Sequence, residues 1–350
     1  MKSYLIFVTL LVITSCSERK NEDSNENSIK FETLNQFEYS QKIDEIHNEL
    51  DKSSQFFSIP SNRLSIIKGE KGTVLYINPD DLILENGNKI TKELKVELKE
   101  LTSTRDLFFS NAQTVSNDKI LVSGGAYFLK ITSDNETVKI KTGKTLKAEF
   151  PKLQDENMTI FYGQRDSASN INWTNTGNDL KKKFKTIEQG QAQQPKKDKY
   201  DETDEMFDYI DGVEGPHINE KTKKNLILEE KVYEAFDIEK LGWINVDRFL
   251  KFENKTNLKI EFDVKGTLKF AKVYIVFEDI NSVITEQYSI KHETETISDL
   301  PVGQKIKFII LSVENEKILA HVSDEVISNN HKIKVNLKET NLETVKNFIK

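Results

Sequence analysis

The sequence predicts a mainly β protein: two antiparallel β-sandwich domains, a short N-terminal amphipathic helix and a short C-terminal helix. Apolar and polar residues alternate over long stretches, which is the period of strands with one buried face. Pairs such as Asn86-Gly87 lie between these stretches and suit tight reversals. No helical pattern intervenes between successive strands, which favours antiparallel sandwiches over a parallel sheet. A length of 350 residues with 37% apolar residues suits two or three globular domains.

The N-terminus carries the pattern of an export signal. Lys2 precedes an apolar run at 4–13, which is too short to span a bilayer as a helix. We therefore expect residues 1–15 to be a cleaved signal peptide. Cys16 follows directly and is the only cysteine, so neither an intrachain disulfide nor a multi-thiolate metal site can form.

The four residues Ile13-Thr14-Ser15-Cys16 resemble the bacterial lipobox. In that family the cysteine sulfur receives a diacylglyceryl group, the peptide is cut before it, and the new amino group is usually acylated, for example with palmitate. The resemblance implies a lipoprotein held on a membrane through Cys16, since two or three acyl chains anchor a protein stably. The alternatives are an ordinary signal sequence that ends in cysteine and a short transmembrane anchor with a buried thiol.

Residues 16–36 are expected to form a flexible tether, because Ser17–Ser28 contains no apolar side chain. Ser17 resembles the outer-membrane sorting preference of Gram-negative lipoproteins, and the acidic residues after it resemble the export tags of Bacteroidota surface lipoproteins. That resemblance implies the outer membrane, on its periplasmic or cell-surface face.

A short helix is predicted within 37–55. The apolar residues Tyr39, Ile43, Ile46 and Leu50 recur at helical spacing and form one face. His47 lies beside this face, and we expect it to pack or be solvated rather than to bind a ligand.

Residues 56–180 are predicted to form the first sandwich. Their turn pairs include Asn117-Asp118 and Asp134-Asn135. The strands are expected at 72–79, 92–101, 119–132, 136–142 and 144–150.

Several short motifs in this domain resemble the β-sandwich module of Bacteroidota envelope proteins that is akin to ZU5 domains. They are Gly72-Thr73, the strand pattern Val96-x-Leu98-x-Glu100, and the Ser123-Gly124-Gly125 step into an aromatic strand. The resemblance implies a platform for binding or assembly rather than a catalyst.

The Ser123-Gly124-Gly125 step has two interpretations. Ser123 as a nucleophile would need a neighbouring base, and no G-x-S-x-G elbow or nearby histidine supplies one. We favour a β-bulge or a close strand approach, where glycines relieve crowding.

The segment 157–175 offers two candidate sites. Trp173 is expected to cover the edge of a core, with a carbohydrate-stacking platform as the alternative. Ser167 lies in an Asp-Ser-Ala triplet that matches the acceptor pattern for O-glycosylation in exported Bacteroidota proteins.

Residues 181–225 are predicted to be a polar linker or exposed loop. Acidic residues cluster between Asp201 and Asp211, but their spacing departs from the EF-hand calcium loop and the required glutamate is missing. We therefore predict a solvated charge run and no defined metal site, with weak cation binding as the alternative.

Residues 226–350 are predicted to form the second sandwich, with strands at 258–266, 271–279, 282–290, 304–313, 317–323 and 332–338. The segment Leu300-Pro301-Val302-Gly303 resembles the start of a strand in transthyretin-like or carboxypeptidase-regulatory-like domains. Thr340 and Glu343 have the spacing of a capping box for a short C-terminal helix.

The stretch 241–249 is the most unusual in this domain and resembles a motif of Bacteroidota lipoproteins. One interpretation places Trp243, Asn245, Asp247 and Arg248 in a recognition pocket. The other, which we favour, has the aromatic residues anchor the domain while Asp247 and Arg248 satisfy the backbone or pair with each other.

No catalytic or cofactor motif is present, and the five histidines lack metal-ligand spacing. The formal charge of −7, with lysines interspersed among acidic residues, excludes a basic face for nucleic acid. We therefore expect a non-catalytic, lipid-anchored binding or assembly module for a protein or glycan partner, with no cofactor. The alternatives are a hydrolase of envelope or extracellular polysaccharide and a structural subunit of an envelope complex.

Overall fold

A computed structural model describes residues 22–51, 53–167, 169–187, 226–262, 269–290, 292–314 and 316–349. It confirms the prediction of a mainly β protein built from several antiparallel sheets with few helices. The helices are α1 (Glu22–Leu50), α2 (Thr104–Phe109), α3 (Leu342–Lys346) and a 3-10 turn at Pro79–Asp81. None of the described helices has the length and apolarity needed to cross a membrane.

The first sandwich contains fifteen of the strands. They are β1 (Gln55–Ile59), β2 (Ser65–Lys68), β3 (Val74–Ile77), β4 (Leu82–Leu84), β5 (Leu94–Leu101), β6 (Val115–Ser116), β7 (Lys119–Ser133), β8 (Glu136–Ile140), β9 (Leu146–Glu149), β10 (Thr159–Arg165), β11 (Ile171–Asp179), β12 (Lys182–Ile187), β13 (Leu226–Tyr233), β14 (Phe236–Ile238) and β15 (Gly242–Phe249).

Two sheets face each other in this sandwich. The larger has the order β1-β5-β7-β15-β10-β11, with β6 and β8 paired to β7 and β4 paired to β8, and the smaller has the order β14-β9-β3-β2. Alternate residues of both sheets point inward and form one core, with Leu98, Ile131 and Val246 from the larger sheet and Leu75 and Ala148 from the smaller. Strands β12 and β13 form a separate two-stranded ribbon.

The predicted turn pairs adopt the backbone that their residues favour. Asn117-Asp118 and Asp134-Asn135 have positive φ at both positions, with angles of 46°, 63°, 52° and 66°. Asparagine and aspartate tolerate this left-handed region better than other non-glycine residues, so both pairs close hairpins around β7. Gly87 has a φ of 86° after Asn86, as the Asn-Gly pair predicts.

A buried carboxylate joins two of the motifs noted in the sequence. Glu100 of β5 accepts hydrogen bonds from the backbone N–H of Thr73 (2.9 Å) and Lys71 (2.8 Å) and from the Gln55 amide (2.9 Å). Gly69 leaves space for this carboxylate, because a Cβ there would lie 2.5 Å from a Glu100 oxygen. Glu100 therefore fixes the turn between β2 and β3 against the larger sheet.

The second sandwich contains the remaining strands. They are β16 (Lys255–Phe262), β17 (Phe270–Phe277), β18 (Val283–Ser289), β19 (Thr294–Pro301), β20 (Lys305–Glu314), β21 (Lys317–Val326), β22 (Lys332–Val335) and β23 (Lys338–Thr340). A three-stranded sheet, β19-β16-β22, packs on a five-stranded sheet, β18-β17-β20-β21-β23. The pair β16–β22 is parallel, whereas the other pairs of this domain are antiparallel.

The strand pairing departs from the domain boundary predicted at residue 226. β15 lies between β7 and β10 in the larger sheet, and β14 pairs with β9 in the smaller sheet. The ribbon partner of β13 is β12, which begins inside the predicted linker 181–225. The first sandwich therefore takes in residues 226–249, because their hydrogen-bonding partners lie there. Residues 188–225, including the acidic cluster, lie outside the described residues.

Helix α1 begins at Glu22, inside the segment 16–36 predicted as a tether, rather than near residue 37. The predicted apolar face is buried: Tyr39, Ile43, Ile46 and Leu50 are each at most 6% exposed. They enter a core that also contains side chains of α2, of the larger sheet, of the five-stranded sheet and of α3. The C-terminal half of α1 is thus packed between the two sandwiches.

His47 is buried on α1 and packs, as expected from its position beside the apolar face. Its Nε2 lies 2.7 Å from the Tyr274 hydroxyl and its Nδ1 lies 3.1 Å from the carbonyl oxygen of Phe109. The carbonyl can only accept, so Nδ1 carries the proton and Nε2 accepts from the tyrosine. Burial lowers the pKa of His47 to about 3, with the positive charge of Lys272 acting in the same direction. The histidine is therefore a neutral bridge from α1 to both domains.

Backbone hydrogen bonds also join the sandwiches directly. The Thr114 N–H donates to the carbonyl of Val283 (2.7 Å), and the Ser123 N–H donates to that of Asn281 (2.8 Å). These bonds satisfy buried backbone groups on both sides of the interface, so the two sandwiches are packed as one body.

Helix α3 is capped one residue later than predicted. Asn341 is the N-cap, and its side chain accepts a hydrogen bond from the Thr344 N–H at 2.9 Å. Thr340 instead ends β23, so the spacing to Glu343 does not form the predicted capping box. Asparagine is among the best N-cap residues, which explains the shift.

The docking of α1 is testable by truncating its most buried side chain. Ile43→Ala should lower the free energy of unfolding by about 2–5 kcal/mol, because it leaves a cavity in a core shared by both domains. Urea unfolding followed by circular dichroism measures this. Glu45→Ala, an exposed position on the same helix, is the matched control and should change stability by no more than about 0.5 kcal/mol. Equal stabilities of the two variants would contradict the docked position of α1.

Candidate functional site

Strand β15 holds four of the predicted site residues, and its pairing decides where each one lies. Trp243 is opposite Phe128 of β7 and Gly163 of β10, and Asn245 is opposite Ala126 and Phe161. Alternate residues of a strand share a face. Trp243, Asn245 and Asp247 therefore lie on the sheet face that α1 and the second sandwich partly cover, while the residues between them enter the core of the first sandwich.

The Ser123-Gly124-Gly125 step is a β-bulge, which confirms the interpretation favoured from the sequence. Between Asn245–Ala126 and Asp247–Ser123 the register shifts, so two glycines lie opposite Val246. A Cβ at Gly124 would lie 2.9 Å from the carbonyl oxygen of Val246, and Gly125 has a φ of 120°. Both positions therefore need glycine, for close approach in one case and for backbone conformation in the other.

A buried polar network lies next to this bulge. The Ser123 hydroxyl donates to Asn245 Oδ1 (3.2 Å) and accepts from the Gly125 N–H (3.0 Å), and the Asn245 amide donates to Asp247 Oδ2 (2.5 Å). All three side chains in the network are fully buried, and Asp247 Oδ1 has no hydrogen-bond partner. Ser123 contacts an amide rather than a base, so the network is a structural element of the bulge.

Burial raises the pKa of Asp247 well above its usual range, and this outweighs the opposing effect of the hydrogen bond from the Asn245 amide. A protonated carboxyl is neutral, which removes most of the cost of burying it. Asp247 is therefore a neutral part of the sheet and is not exposed to a ligand.

Trp173 and Arg248 lie away from any shared pocket. Trp173 is fully buried, its indole N–H donates to the carbonyl of Gln113 at 2.6 Å, and its ring lies across Gly163. A Cβ at Gly163 would meet that ring at 2.5 Å, so glycine is required there. Arg248 pairs with Glu156 at 2.9 Å on the surface. Of the five predicted binding residues, Trp243 is the one that lines the two cavities described below.

Trp243 is half-buried and held by aromatic and cationic neighbours. Its ring centroid lies 5.0 Å from that of Phe128 and 6.4 Å from that of Trp173, the latter edge-on. The Arg165 guanidinium lies 4.9 Å from the Trp243 centroid. That guanidinium donates to the carbonyls of Ser110, Asn111 and Ser169. These aromatic and cationic contacts therefore fix the position of the indole.

The Trp243 cleft is a cavity of about 580 Å³ on one side of this indole. It lies where β10, β11 and the segment 236–243 meet. Its lining combines aromatic rings, amides, hydroxyls and charged groups: Tyr162, Phe236 and Trp243; Gln164, Asn175 and Asn178; Thr174 and Thr176; Asp237, Glu239 and Lys240. The Tyr162 hydroxyl accepts from the Glu239 N–H at 2.9 Å, which ties the segment to β10.

The helix cavity, of about 430 Å³, is also lined by Trp243 and lies against α1. Three carboxylates line it, Asp44, Asp51 and Glu97. Burial raises the pKa of Asp51, but hydrogen bonds from Lys99 and Ser53 outweigh it and lower the pKa to about 2. Asp51 is therefore ionised at neutral pH and bound to Lys99 at 2.6 Å.

The remaining candidate residues are placed as follows. Ser167 is exposed in the turn between β10 and β11. Cys16 lies outside the described residues. In the described part of the chain, no three histidine, cysteine, aspartate or glutamate side chains come together in a way that would hold a metal ion.

Comparison with known proteins adds no relative: no family model matches the chain, and neither the curated proteins nor the solved structures contain a match.

Sequence reasoning missed the residues that share these cavities with Trp243. The cleft is built from 162–164, 174–178 and 236–243, which come together only through the pairing of β10 with β11 and β15. A usable signal was present in the Gln, Asn and Thr residues that alternate with apolar residues beside Trp173. Such residues on the outward face of a strand are candidates for recognition once an aromatic side chain is their neighbour.

The protonation of Asp247 predicts a specific pH dependence of stability. The unfolded chain releases this proton near pH 4 while the folded chain keeps it, so the unfolded state binds fewer protons above that pH and stability falls as pH rises. Asp247→Asn mimics the protonated carboxyl. The unfolding free energy of the variant minus that of the wild type should therefore grow between pH 4 and 7.5, by about 1.4 kcal/mol for each unit by which the pKa is raised.

Urea unfolding of both proteins at several pH values measures this difference. Asp237→Asn, an exposed aspartate on β14, is the control and should show the same difference from the wild type at each pH. A constant difference for Asp247→Asn would mean that the folded protein holds this carboxyl ionised.

Proposed function

We propose that this protein is a lipid-anchored envelope protein whose first sandwich binds a glycan at the Trp243 cleft. It acts as a binding module without catalysis of its own. Cys16 carries the lipid, and the outer membrane, on its periplasmic or cell-surface face, is the membrane concerned. The first sandwich is the ZU5-like module and the second the transthyretin-like domain of this proposal.

The chemistry of the cleft supports a glycan. A sugar ring offers hydroxyls that both donate and accept, with flat apolar faces of C–H groups between them. Amides and hydroxyls such as Gln164, Asn178 and Thr176 match the first property because they too donate and accept. Half-buried rings such as Trp243 and Tyr162 match the second, since aromatic faces supply apolar contact area.

The single observation that carries this proposal is the difference in burial between the two tryptophans. Trp173 is fully buried with its indole N–H satisfied, whereas Trp243 is half-buried and lines the cleft. The buried ring of Trp173 and the ring of Phe128 hold Trp243 in place. A rigid aromatic group loses little conformational entropy on binding, which favours affinity.

The position of α1 is compatible with a lipid anchor at Cys16. The helix begins at Glu22, six residues after the proposed lipid site, and its C-terminal half is packed between the sandwiches. The anchor would thus continue into a helix that contacts both domains. Ser167 lies in an exposed turn, where a glycosyl group at this proposed acceptor would meet no steric barrier.

A hydrolase is the competing function, because Asp44, Asp51 and Glu97 line the helix cavity beside Trp243. Glycoside hydrolysis needs one carboxyl with a raised pKa to act as the acid. The two described carboxyls with a raised pKa are Asp247 and Glu286, and neither lines this cavity or the cleft. Asp51 has the opposite shift. Binding is therefore better supported than cleavage.

Assembly with other proteins is a second candidate, favoured by the edges of the first sandwich. β1 and β2 are edge strands, each paired on one side only. Phe56 on β1 and Ile66 on β2 are 73% and 57% exposed. Exposed apolar residues on an edge strand are a template for pairing with another chain.

Lipid attachment is tested by metabolic labelling with a fatty-acid analogue. The wild type should be labelled and recovered with membranes, and Cys16→Ala should lose both properties, because the sulfur is the attachment atom. Ser15→Ala, which keeps a small residue before the cysteine, should behave like the wild type. Equal labelling of the wild type and Cys16→Ala would rule out the anchor.

Glycan binding is tested by intrinsic fluorescence, since the chain has only two tryptophans and one is buried. Full-length protein in detergent is titrated with members of a panel of neutral, amino and acidic oligosaccharides. Binding should shift the emission of Trp243 to the blue and reduce its quenching by iodide. Trp243→Ala lacks this fluorescent reporter and is titrated by calorimetry instead; it should weaken binding by about 2 kcal/mol or more, as for a central aromatic contact.

Gln164→Ala tests the cleft without disturbing folding, because this side chain is exposed. It should weaken glycan binding without changing the free energy of unfolding. Asn172→Ala, exposed on β11 outside the cleft, is the control and should leave both quantities unchanged. Release of shorter products from a bound oligosaccharide would establish the hydrolase instead, and no binding by any panel member would refute glycan recognition.

A further inference from the structure

We propose that the β1–β2 edge of the first sandwich binds a second copy of this chain, so that both sheets continue across a twofold axis. The β1–β2 edge consists of β1, β2 and the connection 60–64 between them. The inference does not depend on glycan binding, because strands β5, β7 and β15 separate β1 from the β10 strand that lines the Trp243 cleft.

Both sheets of the sandwich end at this one side. β1 is the outermost strand of the larger sheet and pairs with β5, and β2 is the outermost strand of the smaller sheet and pairs with β3. The Glu70 N–H, which follows β2, donates to the side-chain oxygen of Gln55 on β1 at 2.9 Å, so the two edges are neighbours. None of the described strands pairs with their outer sides. Their outward N–H and C=O groups are therefore available to a partner.

The exposed side chains of this edge are mostly apolar. Phe56 on β1, Leu64 in the connection and Ile66 on β2 are 73%, 57% and 57% exposed. Lys68, at the end of β2, is the one charged residue of the two strands. The edge strands β11, β18 and β19, by contrast, expose polar residues and glycine alone. Polar and charged residues keep sheet edges from pairing, so the β1–β2 edge lacks a protection that these three strands have.

A second copy fits this edge better than a single added strand does. A single strand extends one of the two sheets and leaves the other edge, with its apolar side chain, exposed. A partner that covers both must itself present two strand edges at the spacing of packed sheets, which is about 10 Å. A second copy has the same spacing. A twofold axis perpendicular to the sheets then sets β1 against β1 and β2 against β2, and both pairs are antiparallel.

The pleat of the strands determines which side chains meet. Directly opposite residues of paired strands lie on the same face of a sheet. The registers that keep most of β1 paired therefore place Phe56 opposite Phe56 or Ser58 of the other copy. In both cases the two Phe56 rings are direct or diagonal neighbours, a distance that aromatic side chains bridge. Like charges do not oppose this pairing, since β1 carries none.

The contact area indicates a reversible dimer. Five residues of β1 span about 17 Å, and two sheets with their outer side chains span about 20 Å, so pairing buries on the order of 1,000 Å² in total. That area lies at the lower limit for a specific interface and well below that of an obligate dimer. We therefore expect monomer and dimer to exchange, with the dimer fraction rising with protein concentration.

The test uses the closeness of the two copies of residue 56. Sedimentation velocity of full-length protein, in density-matched detergent with micelles in excess, measures the monomer–dimer equilibrium. The wild type should dimerise. Phe56→Asp and Phe56→Lys should each raise the dissociation constant about tenfold or more, because they remove an apolar contact and bring like charges together. An equimolar mixture of these two variants should recover dimerisation to within a few-fold of the wild type, because opposite charges then meet.

Val326→Asp is the matched control, since Val326 is 54% exposed on β21 of the second sandwich, and it should dimerise like the wild type. Circular dichroism should show the wild-type fold for all three variants, because both positions are exposed. A wild type that stays monomeric at every concentration would overturn the inference and leave the edge to a different protein. Dimerisation that persists in Phe56→Asp, or that does not return in the mixture, would overturn it as well, because the copies would then meet elsewhere.

Discussion

The packing of α1 between the two sandwiches is the interaction on which the rest of the structure depends. The five-stranded sheet buries one face against its own domain, and its other face holds Tyr274, Ile309 and Leu311. Those side chains are covered by the apolar face of α1 and by the first sandwich. A sheet buried on both sides has no polar face, which is why β17 is nearly all apolar.

Two buried basic side chains show how tightly this interface excludes water. His47 bridges α1 to Tyr274 and to the carbonyl of Phe109 in its neutral form. Lys272 of β17 is fully buried, and burial lowers its pKa to about 8. Groups of this kind are tolerated only where hydrogen bonds and nearby charges are fixed, so the interface is a specific one rather than a loose apolar contact.

The return of the chain to the first sandwich through β15 links this architecture to the candidate site. β15 completes the larger sheet between β7 and β10, and it brings Trp243 beside Phe128. The glycine bulge of β7 lies beside the buried hydrogen-bond network of Asn245 and Asp247. Trp243, near the start of the same strand, is only half-buried. One strand thus supplies both a structural network and an aromatic side chain that lines a cavity, and α1 forms a wall of the adjoining cavity.

Local sequence by itself determined the long strands such as β5, β7 and β20, the turns and the apolar face of α1, whereas short or edge strands such as β1, β2 and β19 were not predicted. The signals of the predicted elements are spacings of two and 3.6 residues, and turn pairs such as Asn117-Asp118 that favour positive φ whatever lies around them. The length of α1 was underestimated, because residues 22–36 lack the apolar spacing that marked 37–55.

Only the tertiary structure decided which strands pair and which residues of a face line a cavity. β15 was assigned to the second domain, since nothing local shows that its partners are β7 and β10. Trp243, Asn245 and Asp247 have the same alternation and so looked equivalent in the sequence. They differ because α1 and the second sandwich cover one end of their sheet face and leave the other open, and that depends on contacts between residues far apart in the chain.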